Sequence, residues 1–466
     1  MTVEGWTQSL SAGPLLLIAL AAILVLLFLI IKLRLHAFVA LILISLVTAF
    51  ATGIPTSQII TVLVGSFGST LGAVALLVGL GAMLGRLVET SGGAKVLADQ
   101  LIRAFGEKRA PLALGVASLV FGFPIFFDAG LVVMLPIVFS IARRLGGGVL
   151  RYGLPAAGAF SVMHIFVPPH PGPVAASAFF GANVGFVIIV GLLAAIPTWY
   201  VTSYLYGIWV GKKYVLPVPE LLGAADEHAE ANPPKFGTVV GILLLPLVLI
   251  FLNTGLNTVA NSGSGNEDLT DQAWFQVLRT LGETPVALLI SLLVASYVLG
   301  RRRGIDKTVL ESTLESALGP VASVILITGA GGMFGGVLRT SGIGDALADV
   351  LGDLGIPLIL AGFLIAAILR IAQGSATVAL TTASGLISPA ILAGDYNAFQ
   401  LAALVVAVAG GSVVASHVND SGFWLVGRFL GMDVKTTLKT WTVMETTIGV
   451  MGFAIAAVVF ALASTG

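Results

Sequence analysis

Residues 152–210 contain no Asp, Glu, Lys or Arg, a run long enough for two membrane crossings. Similar apolar stretches lie at 14–31, 37–53, 72–88, 110–142, 237–254, 284–300, 319–338, 356–393, 398–418 and 442–463. The chain is 57% hydrophobic and 10% charged, with a mean hydropathy of +1.04. Soluble domains run about 45–50% apolar and about 25% charged. This balance excludes a soluble enzyme. Nucleic acid is excluded as a partner too, because Lys+Arg and Asp+Glu stand level at 23 each. There are no cysteines, so disulfides, thiolate metal sites and Cys nucleophiles are out. The 57 glycines suit close packing and broken backbone in a membrane. The expected fold class is an all-α polytopic membrane protein in contact with lipid.

Charge gives the expected topology. The N-terminal run from Pro14 to Ile31 follows Glu4 and ends in Lys32 and Arg34, unlike a cleaved signal. Lys and Arg mark cytoplasmic loops, so Arg103/Lys108/Arg109, Arg143/Arg144, Lys212/Lys213 and Arg301/Arg302/Arg303 read as inside. The linker 255–283, with Arg279 against Glu267, Asp268, Asp271 and Glu283, reads as outside. The stretch 110–142 has basic residues at both ends, so one crossing helix does not fit it. Two arms turning back at Gly122-Phe123-Pro124 form a re-entrant hairpin, which survives in a membrane only when buried in protein or lining a cavity. The prolines and glycine of Pro168-Pro169-His170-Pro171-Gly172-Pro173 must break a second helix.

The chain repeats itself at an offset of 250. Residues 81–101 (GAMLGRLVETSGGAKVLADQL) match 331–351 (GGMFGGVLRTSGIGDALADVL) at ten of 21 positions, including Thr90-Ser91-Gly92 and Leu97-Ala98-Asp99. The same offset carries the hairpin tip onto 372–378 and the proline break onto 418–423. Positions 86–109 hold five Lys/Arg and three acids, whereas 336–359 hold Arg339 and three Asp. The two copies therefore read as antiparallel across the bilayer. The expected organisation is a first inverted repeat at 11–211, a cytoplasmic linker at 212–236 and a second repeat at 237–464. Each repeat has about five transmembrane helices and one re-entrant hairpin. Inverted repeats with discontinuous segments point to a secondary transporter with a midplane site. No G-x-x-x-x-G-K-[ST] occurs, so ATP drive is not expected.

Polar residues at membrane depth are the site candidates. Asp128 is the one charge in the first hairpin; it reads as a protonatable carboxylate or as a helix N-cap. The second tip, Gln373-Gly374-Ser375-Ala376-Thr377, has the small and hydroxyl residues that let amides face an anion at a helix start, or that pack helices closely. Arg370 precedes it, as a counter-charge for a substrate carboxylate, for Asp128 or for Asp420, or as a residue reaching an interface. The run Ser416-His417-Val418-Asn419-Asp420-Ser421 concentrates polar groups that would be costly in lipid. It lines a polar cavity or caps a helix. Asn419 and Ser421 are binding candidates there, and Asp420 and His417 are proton-coupling candidates beside Asp128. In the partner break His170, more than His164, is placed to meet substrate. The histidines lack a compact metal-ligand spacing, so no metal or other cofactor is expected. Nor does Ser416-His417 adjacency make a nucleophile–base pair.

Taken together, GFPIFFDAGLVVMLPIVFSIAR (122–143), HPGP (170–173), QGSATVA (373–379) and SHVNDSGFW (416–424) resemble the gluconate permease (gluconate:proton symporter) family of bacterial inner-membrane carriers. The resemblance spans nearly the whole chain. It implies proton-coupled uptake of gluconate or a related small hydroxy-acid, within the ion-transporter fold of scaffold and mobile transport regions. Relatives of this kind also move other sugar acids and D-serine. Many carry Glu where this chain has Asp128, which keeps the carboxylate on a shorter stem. The expected partners are a small carboxylate and a proton, with sodium and a homo-oligomer left open. Backbone carbonyls at broken helices also suit a hard cation. An anion channel is the alternative of a different class.

Overall fold

The computed structural model describes residues 6–219, 233–261, 272–343, 345–346, 356–417 and 420–464. Among them every regular element is helical, so the all-α expectation holds. The first half runs α1 (Ala12–Ile31), α2 (Ala37–Ala51), α3 (Thr56–Thr90), α4 (Gly93–Phe105), α5 (Ala110–Phe121), α6 (Phe127–Leu145), α7 (Leu150–Phe166), α8 (Pro171–Phe180) and α9 (Val184–Lys213). The second runs α10 (Phe236–Asn261), α11 (Ala273–Gly282), α12 (Thr284–Arg303), α13 (Lys307–Ser316), α14 (Leu318–Thr340), α15 (Leu358–Gln373), α16 (Ala376–Ala393), α17 (Ala398–Gly411), α18 (Ser421–Phe429) and α19 (Val434–Ala463).

Among the described residues, six helices are long and apolar enough to cross a membrane. Leu17, Leu20 and Leu24 of α1 and Val450, Val458 and Leu462 of α19 are exposed, as side chains facing lipid would be. In α7, by contrast, everything but Arg151 and His164 is buried. A helix apolar all round sits inside the protein, and α7 packs on α5, α6 and α9.

Helix boundaries keep the 250-residue offset: α8 starts at Pro171 and α18 at Ser421, α9 starts at Val184 and α19 at Val434. Helices α3 and α14, whose ends carry the matching segments 81–90 and 331–340, pack against each other. The hairpin at 110–142 is a turn-back in the structure: Arg144 at the end of α6 pairs with Glu107 just before α5, at 3.3 Å. Its first arm, 12 residues or about 18 Å, is shorter than a bilayer core of about 30 Å.

Four details depart from the sequence reading. The stretch taken as 72–88 is one helix from Thr56; its Ser69 and Thr70 hydroxyls bond back to the Ser66 carbonyl, which makes a polar run compatible with a buried helix. The first tip spans 122–126, beyond Pro124, before helix resumes at Phe127. The stretch 398–418 stays helical only to Gly411, and turn and other non-helical backbone follows over 412–417. The linker 255–283 is largely helical where described, ending in the amphipathic α11; its Glu267, Asp268 and Asp271 lie outside the described residues, as do Leu347-Ala348-Asp349 of the repeat.

Candidate functional site

Helical backbone is interrupted at 122–126, 167–170, 374–375 and, among the described residues, at 412–417 and Asp420. Three of these breaks line one cavity of about 570 Å³, within the range of roughly 300–1,000 Å³ usual for small-molecule sites. The first tip supplies Pro124 to Asp128 and the second Ser375 to Thr377; the fourth break supplies Val413 and Asp420. The fourth wall comes from α7 (Ser161, His164) and α19 (Trp441, Glu445). The N-termini of α6, α16 and α18 all meet this space, and a helix N-terminus favours negative charge.

Arg370 and Asp420 are the charged centre. Both are buried, and Arg370 Nη2 donates to Asp420 Oδ2. Asp420 also caps α18: Gly422 N donates to its Oδ1 at 3.0 Å, and Ser416 Oγ donates to Oδ2. Trp441 Nε1 in turn donates to Ser416 Oγ at 2.9 Å. Capping and cavity lining thus hold together at Asp420. The guanidinium is only half used, because Arg370 Nε and Nη1 are buried at the cavity wall with no partner. Unpartnered buried donors of this kind are rare in proteins.

The second tip is shaped by Gly374, whose φ of 79° is a left-handed conformation that suits glycine. Ser375 Oγ then accepts from Val378 N at 3.3 Å as the cap of α16. Thr377 Oγ1 lies 3.3 Å from His164 Nε2. Asp128 sits in the first turn of α6, exposed to the cavity, and no side chain caps that helix.

The histidines divide. His164 lines the cavity with Nδ1 unpartnered. His170, 2% exposed, is not on the cavity wall; its Nε2 donates to the Gly122 carbonyl at 2.8 Å. His417 Nε2 is 3.1 Å from the Ile371 carbonyl and is likewise off the wall. Each imidazole ties a helix break to the last turn or tip of a hairpin arm. Asn419 lies outside the described residues, as do the side chains of Gln373 and Ser421. Arg370, Ser375, Thr377, Asp128 and Asp420 do converge.

The cavity wall also holds an acid that is not among the candidates the sequence singles out. Glu445, 3% exposed, accepts from Ser161 Oγ at 2.9 Å through Oε2, and its Oε1 has no partner. Its signal was available, because it is the only acid after Asp433 and sits in an apolar stretch.

At its rim the cavity meets Arg86, which donates to Glu89 at 2.7 Å and to Ser316 Oγ at 3.3 Å. A second cavity of about 150 Å³ is lined by Ser66, Gly332, Gly335, Gly336 and Arg339. These are the 250-offset counterparts of Ser316, Ala82, Gly85, Arg86 and Glu89. Here α3 and α14 touch closely: a Cβ at Gly336 would lie 2.0 Å from Ser66 Oγ, and one at Gly332 2.0 Å from Thr70 Oγ1.

Several known proteins are similar to this chain in sequence or in fold. The inner membrane permease YgbN of Escherichia coli (strain K12) is 40% identical over 463 residues, covering 97% of this chain and all of that one. A low-affinity gluconate transporter of the same organism is 38% identical over 451 residues, covering 97% and 99%. A gluconate permease of Bacillus subtilis (strain 168) is 39% identical over 447 residues, covering 94% and 97%. The YdaH transporter of Alcanivorax borkumensis shares the fold at a TM-score of 0.61 and 17% identity, over 92% of this chain and 98% of that one. MtrF of Neisseria gonorrhoeae does so at 0.59 and 16%, over 87% and 85%. The GntP family permease model matches residues 14–463, and the chain belongs to that family of membrane permeases.

Proposed function

We propose that this protein carries gluconate or a closely related sugar acid across the bacterial inner membrane, driven by protons and working by alternating access. The observation that carries the reading is Arg370: a buried guanidinium, half engaged by Asp420, with Nε and Nη1 unpartnered at the wall of the cavity. A substrate carboxylate would satisfy those donors; charge-assisted bonds of this kind are the strong ones. The hydroxyls of Ser375, Thr377 and Ser161 and the imidazole of His164 suit the hydroxyls of a polyol acid. The relatives named as gluconate carriers support the same substrate class.

Alternating access draws support from the two cavities, which use equivalent residues of the two halves. The wide rim carries Arg86 and Glu89, on the segment whose positive charge reads as cytoplasmic; at the counterpart rim the glycines of α14 close on Ser66 and Thr70. This arrangement suits an inward-open state, with the repeats 11–211 and 237–464 inverted. Asp128, Asp420 and His417 are the coupling candidates that the sequence offers. The test is uptake of several sugar acids into proteoliposomes, with pH and sodium gradients imposed separately. Accumulation driven by sodium alone, or none of any sugar acid, would refute the reading.

A further inference from the structure

We infer that Glu445 is the group that carries the coupled proton. The inference rests on the proton-coupled reading above. Glu445 lies in the cavity wall, buried among α7 and α19, with one carboxyl oxygen held by Ser161 and the other facing no partner. Asp420, the other buried acid of this wall, is committed to Arg370, Ser416 and the Gly422 amide. Asp128 lies in the first turn of α6, exposed to the cavity, and makes no such pairing with a buried hydroxyl among the described residues.

An ionised carboxylate buried with no cation bonded to it is costly, whereas the neutral acid needs only hydrogen bonds. The Ser161 contact serves both states, because the hydroxyl can donate to a carboxylate or accept from an acid. The titratable groups facing Glu445 are His164 on α7, Arg370 on α15, Asp420 before α18 and Asp128 on α6, all on the same wall. Of the other helices packed on α19, α17 brings no charged residue and α9 brings Tyr206, which donates to the Lys439 and Thr440 carbonyls.

That arrangement couples two ligands. A substrate anion on Arg370 places a second negative charge in the same poorly hydrated space, so Glu445 accompanies it only as the neutral acid. Anion and proton then travel as a neutral pair, and the proton leaves once the cavity opens and the substrate departs. The carboxyl is not there to build the helix. The 250-offset counterpart, Ala195 of α9, is fully buried without one.

The test uses the full-length protein in proteoliposomes with the membrane potential clamped at zero. Under a gradient of one pH unit, one proton per gluconate supports about tenfold accumulation. Glu445→Gln should lose this accumulation and the gluconate-driven proton uptake seen with an internal pH dye, while exchange of labelled for unlabelled gluconate continues and loses its pH dependence. Accumulation by Glu445→Gln equal to the parent overturns the assignment but leaves the carrier reading intact. Loss of exchange in a variant that elutes and melts like the parent also overturns it, making Glu445 a binding or packing residue. A parent that accumulates nothing under a pH gradient overturns the coupled reading and this assignment together. If Glu445→Gln does not fold, Glu445→Asp replaces it: the shorter carboxyl should shift the pH midpoint of exchange, and an unmoved midpoint is contrary evidence.

Discussion

Replacing Arg370 by Lys separates the two jobs assigned to the guanidinium. The parent side chain spends Nη2 on Asp420 and keeps Nε and Nη1 for the substrate. A lysine ammonium is one compact charge and cannot fork in this way. Paired with Asp420, it keeps that carboxylate compensated, so the fold should persist. The substrate then loses at least one bond to a charged donor, typically worth about 1.5–3 kcal/mol. The apparent gluconate affinity should therefore fall about ten- to hundredfold. Arg370→Gln differs, because it strands Asp420 as a buried charge, and breaking such a pair costs about 3–5 kcal/mol. Its melting temperature should drop sharply, and Asp420→Asn added to it should recover much of the loss while substrate binding stays weak. The assays are thermal unfolding of the purified protein and gluconate binding by calorimetry. If Arg370→Lys binds gluconate like the parent, the free guanidinium donors do not hold the substrate.

Other outcomes follow from the same geometry. Single cysteines placed at Arg109 and at Arg143, in this Cys-free chain, should both label from the cytoplasmic side; labelling from opposite sides refutes the re-entrant hairpin. Thr377→Val should weaken gluconate binding with little change in stability, because it removes a hydroxyl shared with His164 at 3.3 Å; unchanged affinity would put the substrate elsewhere. Ser375→Ala should lower stability as well, by about 0.5–2 kcal/mol for a lost N-cap, and an unchanged melting temperature would show that the cap bond to Val378 contributes nothing. Gly336→Ala brings a methyl to within 2.0 Å of Ser66 Oγ and overpacks the α3–α14 seam at about 1–3 kcal/mol. It should slow net uptake and raise the labelling of a cysteine at Ser388 in the small cavity; uptake at the parental rate would mean that this seam does not have to close.

The sequence alone determined that this chain is an all-α membrane protein, because composition and the length of uncharged runs leave nowhere else to bury the surface. It also marked the interruption near Pro168-Pro169-His170, since prolines cannot continue a helix, whereas the end of helix at Gly411 lies inside the apolar run 398–418 and was not legible. The duplication at 250 was legible because the polar TSG and LAD runs stand in register. Hydropathy missed the first half of α3, where the Ser69 and Thr70 hydroxyls bond back to the Ser66 carbonyl and where Ser66 and Thr70 pack closely on glycines of α14. Pairing belongs to the tertiary structure. Arg370 had several possible partners in the sequence, and only the approach of α15 to the start of α18 selected Asp420. His170 looked like a substrate ligand from its place at the break, yet folding turns it onto the Gly122 carbonyl. Glu445 lies 284 residues from Ser161; no local pattern joins them, because contacts between distant helices depend on how the two halves pack.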